Sequence, residues 1–429
     1  MNGKFFSKKK MIFSVGIVVT VLFLLVFLSN VTAQIRKMDV KDREIKKIIT
    51  LDVAKDLMIK SVYNNQLGKR ALYANPVFKQ KGVKISSWRN PNLITVKNDS
   101  WFFFVDEMPG ANWEHKASYI MVDKVSGAVE KIETMSPPEE TLEMKPLNEI
   151  ATVHMAVLKD NVKAISISAA KFGGIIQFLK RPRYAVVLSG GMNNTYNYGR
   201  YWNDMSFIYK ALKQKYGYSD SEIIVLFANG THTPSADLDG DGTADIDYAC
   251  TKANLTTVMN KVAGNIAADG KFFFYATNHG GDDAGDYNSN LILWGESIKD
   301  SEFAALTKNI KCGQANYVFE QCFSGGMMDD ILKAQTYPCS NPKVCVMTAA
   351  RHDEVSWGCD TEGSYDEYIY HWTSAIFGKT PTGAAVNADT NHDGIVSMKE
   401  AHEYAKSHDS QDEHPQIGSC IATASDTGL

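Results

Sequence analysis

A cysteine and a histidine stand out by what precedes and follows them. Residues 317–326, Tyr-Val-Phe-Glu-Gln-Cys-Phe-Ser-Gly-Gly, run from an apolar stretch into Cys322 and then into glycines. Residues 271–281, Lys-Phe-Phe-Phe-Tyr-Ala-Thr-Asn-His-Gly-Gly, do the same for His279. Each reads as a buried strand delivering one reactive side chain to its C-terminal tip, where open α/β sheets carry their chemistry. A thiol and an imidazole on two such tips form a nucleophile and acid/base pair. The thiolate attacks an amide carbonyl, and a nearby imidazole or helix N-terminus eases its formation. Either residue alone more often has a structural role, since buried cysteines are common. The pairing, with glycines beside both, carries the reading.

The elements that must position this pair follow from Tyr184 onward. Apolar runs at 184–188, 223–227, 272–277, 317–320 and 344–349 read as strands, separated by helical patterns at 202–216, 255–267 and 301–310. Such alternation predicts an α/β domain with a mostly parallel sheet covered on both faces. Residues 291–294 read as an inserted hairpin strand. The first half is different: a helical pattern at 40–63 and strands at 100–105, 117–122 and 128–132 predict a small α+β module. No nucleophile or metal cluster lies in it, which favours an inhibitory, chaperoning or binding role.

Composition is that of an ordinary globular protein: 429 residues, 44% hydrophobic and 22% charged, with net charge −4. Nothing there calls for nucleic acid. Lys4 and Lys8–Lys10, an uncharged run from Met11 to Leu28 and small residues up to Ala33 predict a signal peptide over 1–33 and export to the periplasm or medium. With that segment cleaved, no stable membrane span is expected; left uncleaved, its 18 residues from Met11 to Leu28 would serve as a membrane anchor. Residues 34–135 form the expected α+β module, 136–182 a linker with a helix at 147–170, and 183–429 the main domain. Basic residues between Lys171 and Arg183 mark a candidate processing junction. Besides Cys322 there are six cysteines, at Cys250, Cys312, Cys339, Cys345, Cys359 and Cys420. In an exported protein these suffice for three disulfides of undetermined pairing, Cys339 with Cys345 being a local candidate.

Two aspartate-rich loops predict structural calcium; no organic cofactor is expected. In residues 389–400, Asp389, Asn391, Asp393, the Ile395 carbonyl and Glu400 occupy the ligand places of an EF-hand loop, with Gly394 at the sharp turn. Asp237, Asp239 and Asp241 begin a similar loop that lacks its closing glutamate, so Asp245 or Asp247 would have to close it.

The His279-Gly280 pair after an aromatic strand and Glu320-Gln-Cys-Phe-Ser-Gly325 after the next resemble the legumain-like (asparaginyl endopeptidase) cysteine peptidases of the caspase/legumain clan, of bacterial type. The likeness covers roughly the last 250 residues. It implies a caspase/legumain-like fold, a peptide or protein substrate, and an oxyanion hole from the N–H groups of Gly280 and Cys322. It further implies that Asn197, within Tyr196-Asn-Tyr198, orients His279. The first specificity pocket would use Arg200, Glu320 and Ser356. Where the family carries Asp before a later Trp, this chain has His371 before Trp372. That exchange removes an acceptor charge, so it predicts a departure from strict asparagine preference, towards Asp or another polar residue. The N-terminal module resembles PepSY-like or cystatin-like propeptides, which implies a zymogen with the module as its own partner. A transpeptidase using the same dyad, and a non-catalytic calcium-dependent binding protein on a peptidase fold, are the alternatives.

Overall fold

The computed structural model describes residues 48–165, 181–282, 287–334, 342–359 and 364–429. The expected signal peptide and most of the basic junction lie outside them. Arg183, at the junction's end, is tied into the domain by Glu222 at 3.0 Å and the Tyr216 carbonyl at 2.9 Å.

The N-terminal module opens with α1 (Leu51–Tyr63). The helix starts there because the Thr50 hydroxyl accepts the Val53 N–H at 3.4 Å. Strands β1 (Ala71–Ala74), β2 (Lys84–Ile85), β3 (Ile94–Thr95), β4 (Ser100–Asp106), β5 (Ala117–Asp123), β6 (Val129–Thr134) and β7 (Lys145–Pro146) follow, then α2 (Glu149–Ile165). Five of these strands make an antiparallel sheet in the order β6-β5-β4-β1-β7. The β4–β5 pairing runs from Ser100 opposite Asp123 to Asp106 opposite Ala117. The loop between these strands, residues 107–116, is therefore gripped at both ends.

The second sheet is built from β8 (Arg181–Ser189), α3 (Gly199–Gln214), β9 (Ile223–Phe227), α4 (Lys252–Asn265) and β10 (Ile266–Ala276). A three-stranded insertion follows, with β11 (Gly280–Asp282), β12 (Ser289–Ile292) and β13 (Ser297–Lys299). The chain continues through α5 (Asp300–Thr307), β14 (Gln314–Phe319), α6 (Gly325–Ala334), β15 (Lys343–Thr348), α7 (Glu367–Phe377), α8 (Met398–His408) and β16 (Gln416–Ser419). The sheet order is β16-β15-β14-β10-β8-β9, parallel except for β16. This is the α/β class that the alternating pattern implied, arranged as the caspase/legumain-like resemblance implied.

The central strands are apolar throughout because both faces are covered. Phe272, Phe274 and Ala276 pack with Leu255, Met259, Phe303 and Ile331 on one face. Phe273 and Tyr275 pack with Ile208, Leu212, Trp372 and Met398 on the other. A further cluster joins the modules: Tyr73, Phe104, Trp113 and Tyr119 pack with Tyr196, Tyr198, Tyr201 and Ile292.

Cys250, Cys312, Cys322, Cys345 and Cys359 are buried free thiols. Three disulfides, and a Cys339–Cys345 pair among them, are thereby excluded. Cys250, Cys312 and Cys345 fill the core as small apolar side chains instead.

Candidate active site

Parallel pairing of β10 with β14 sets Ala276 opposite Phe319. His279 and Cys322 each lie three residues beyond that pair (279 − 276 and 322 − 319). The register therefore brings the two tips together, as the sequence implied. Phe323 then turns the chain with φ 59°, a region that non-glycine residues rarely adopt. Its N–H is held by the Glu354 carbonyl at 2.8 Å. At Gly280 a Cβ would stand 2.1 Å from the Cys322 carbonyl oxygen, so only glycine allows the tips to approach.

His279 is fully buried. Its Nε2 lies 2.7 Å from the Tyr196 carbonyl, so Nε2 carries the proton. Its Nδ1 accepts the Trp113 N–H at 2.7 Å. Burial is the main reason its pKa falls well below the ordinary imidazole range, and the ring is neutral. The orienting contact thus comes from the main chain at Tyr196, not from the Asn197 side chain. Asn197 Oδ1 has no hydrogen-bond partner, and that side chain packs against Gly191. Burial likewise raises the Cys322 thiol, although the Ser356 N–H donates to Sγ at 3.3 Å.

Beside the thiol lies a pocket, and the chain's own Asn112 fills it. Residues 110–112 lie along 356–358 like an added strand. The Asn112 N–H donates to the Ser356 carbonyl at 3.0 Å and the Gly358 N–H to the Gly110 carbonyl at 3.3 Å. The Asn112 side chain is then fully bonded. Oδ1 accepts from Arg200 Nη2 at 2.5 Å and Tyr201 Oη at 2.6 Å. Nδ2 donates to Ser356 Oγ at 3.1 Å and Asp366 Oδ1 at 3.4 Å. Two donors and two acceptors match a carboxamide's complement. Arg200 Nε also pairs with Asp366 at 2.6 Å. Asp204 braces this pair by accepting the Asp366 N–H at 3.2 Å, and Thr277 Oγ1 stands 2.9 Å from Asp204 and 3.0 Å from Asp366 with one proton to share between them. Burial raises Asp204 most, aided by the Asp366 charge, while Arg200 opposes the rise at Asp366. Asp204 therefore holds the proton of the pair.

Arg200 and Ser356 thus both touch Asn112; Glu320 and His371 do not. Glu320 accepts the Ile369 N–H at 3.1 Å and steadies α7 from below. His371 lies 3.6 Å from Glu367 and beside the His408 ring. The acidic position is filled by Asp366, the N-cap of α7. The expected loss of an acceptor charge therefore does not occur. Tyr201 and Asp204, one and four residues past Arg200, were missed; the i, i+4 spacing along α3 was the available signal.

The loop bearing Asn112 carries a pH-sensitive group. The Glu114 N–H donates to the Gly280 carbonyl. Its carboxyl is buried, and burial pushes it up to about 7 although Arg89 stands 3.0 Å away and Ser136 donates to it. An exposed glutamate titrates near 4.3. Between these values the docked loop keeps a proton that a free loop has lost. Docking therefore weakens as pH rises towards about 7, by roughly 4 kcal/mol in all. Turnover of an added peptide by the full chain is expected to climb across this window. Glu114→Gln should reduce the climb, and an unchanged profile would mean another group sets it.

The two aspartate loops differ in preparation. Carboxylate oxygens of Asp237, Asp239 and Asp245 lie within 4.8 Å of one another. Lys213 Nζ sits 2.8 Å from Asp239 and 3.3 Å from Asp241. In the other loop, Asp389 accepts the Gly394 N–H, Asn391 that of Asp393, and Asp393 that of Ile395. Glu400 is turned to the N–H groups of Thr390, Asn391 and Ser397. Among the described residues, Asp389, Asp393 and Glu400 make no comparably close group.

The fold and its pair of strand tips define a cysteine peptidase of the legumain type. Residues 183–419 match the model of the peptidase C13 family, and the chain belongs to that family. No curated protein matches it. Among solved structures it is similar to GSU0716 of Geobacter sulfurreducens, at 11% identity over 56% of this chain and 93% of that one. The TM-score is 0.37, too low to bear on function. Among the described residues, no helix is long and apolar enough to cross a membrane.

Proposed function

We propose that this chain is an exported, latent cysteine endopeptidase that cleaves after asparagine, with its N-terminal module as the built-in inhibitor. The observation that carries the reading is Asn112, whose carboxamide is bonded at all four positions beside Cys322. With the module displaced, Cys322 attacks the carbonyl of a substrate asparagine, and the N–H groups of Gly280 and Cys322 face the developing oxyanion. His279 Nδ1, which now meets the Trp113 nitrogen, meets the leaving amine and protonates it. The export reading rests on residues 1–33.

The test is a panel of peptides differing only at the cleaved residue, offered to the full chain carrying Asn112→Ala. Asparagine is expected to exceed aspartate and glutamine by at least about 100-fold, because a second carboxylate meets Asp366 and a longer amide misses Arg200. Equal rates would sink the assignment.

The same reading keeps structural calcium at the two aspartate loops. The set of Asp237, Asp239 and Asp245 is the better prepared, with the ion displacing Lys213. Calcium at about 100 times its dissociation constant is expected to add roughly 2.7 kcal/mol and raise Tm by several degrees over chelator. Asp239→Asn should remove most of that gain; equal melting with and without calcium would exclude the sites.

A further inference from the structure

The Asn112 carbonyl stands next to the nucleophile but is not paired with Gly280. The Gly280 N–H donates instead to the following carbonyl, that of Trp113, at 2.7 Å. The Asn112 oxygen accepts the Cys322 S–H at 2.8 Å and lies 3.0 Å from His115 Nδ1. His115 Nε2 in turn faces Asp106 Oδ1 at 2.8 Å. Both side chains are buried, at 1% and 0% exposure. The His115 ring thus bridges the Asn112 carbonyl and the Asp106 carboxylate, two groups fixed on the same loop and strand. The ring also stacks on the Trp113 indole with centroids 3.7 Å apart. Asp106 is held by the Met108 N–H at 2.9 Å and faced by His154 at 3.8 Å, which itself meets the Tyr73 hydroxyl. Meanwhile the Trp113 nitrogen is already at His279.

We propose that the Asp106–His115 pair is a catch, holding the Asn112–Trp113 bond in the active site but out of the oxyanion hole, and that this bond is a self-cleavage site once the catch is removed. The proposal rests on the peptidase reading above. In the cut, Cys322 Sγ bonds to the Asn112 carbonyl carbon and the Asn112–Trp113 C–N bond breaks. The thiol proton passes by way of His279 to the Trp113 amine. Water then hydrolyses the thioester, leaving an Asn112 carboxylate and restoring the thiol. His115 is a positioning residue here. Because β4 and β5 grip both ends of the loop, the nicked halves stay together, and the cut is read by denaturing mass spectrometry.

In the full chain, His115→Phe keeps the ring stack and removes both ring nitrogens. Fragments ending at Asn112 and beginning at Trp113 are expected at least about 10-fold faster than in the wild type, a change of about 1.4 kcal/mol in barrier. Adding Cys322→Ala should abolish them, and Asp106→Asn should act in the same direction. The catch is overturned if His115→Phe leaves this bond intact while the Asn112→Ala chain cleaves an added asparagine peptide. If neither cleaves, the peptidase reading falls and takes this proposal with it. A readout independent of the variants' folding is nitrogen-15 histidine NMR of the wild type at mildly acid pH. It must show a hydrogen bond from His115 Nδ1 to the Asn112 carbonyl; its absence overturns the catch.

Discussion

Replacing Cys322 with alanine is expected to remove peptide cleavage by at least about 10⁴-fold, the scale seen when a nucleophile is deleted and the rest of a site remains. The comparison belongs in the Asn112→Ala chain, where the cleft is free. In the sealed cleft, burial keeps the thiol protonated. Water entering on release lifts that penalty and lets the thiolate form. The substitution leaves Arg200, Ser356 and Asp366 in place, so binding of an asparagine peptide should persist while turnover vanishes. Initial rates and peptide affinity, measured together, check this. Residual turnover above about 1% of the parent would take the nucleophile's role from Cys322.

Asn112→Ala alone is expected to raise turnover of an added asparagine peptide by at least about 100-fold. The loop loses four side-chain hydrogen bonds, two of them to the charged groups Arg200 and Asp366. Bonds to charged groups contribute about 1.5–3 kcal/mol each, so the open state gains several kcal/mol relative to the closed one. The buried Arg200–Asp366 pair is also left without its carboxamide, which pushes in the same direction. Apparent activity scales with the open fraction, which the proposed latency makes small in the wild type. Steady-state rates of the two full-length proteins decide the matter. Equal rates would place the cause of latency elsewhere than Asn112.

The sequence made the catalytic tips readable because each strand runs directly into its reactive residue, and parallel register then needs no further information. Arg200 and Ser356 were readable through their motifs. Asn112 was not, since it meets Ser356 across 244 positions and nothing in Gly-Ala-Asn-Trp marks it. Counting back from Trp372 led to His371, which is adjacent in sequence but turned about 100° around the helix. Asp366, at the helix start, faces the pocket. At Asn197 the side chain drew attention, whereas the group that orients His279 is the carbonyl of Tyr196, which any residue carries. Among the described residues, the first aspartate loop brings the carboxylates of Asp237, Asp239 and Asp245 close together, while those of the second stay apart. The first loop's sequence could not announce Lys213, 26 residues before Asp239 (239 − 213), as a rival cation.

On the function proposed above, substrate reading and self-restraint share one pocket, and this limits how the protein can change. A substitution at Arg200, Tyr201, Ser356 or Asp366 that retunes preference also loosens the residue that plugs the pocket. Such a variant would be born unrestrained, exposing the producing cell to it, unless position 112 changed in step. The pocket therefore drifts only as fast as its plug. In a relative with the same arrangement, the residue at the tip of the β4–β5 loop is expected to name the residue its enzyme prefers to cleave after.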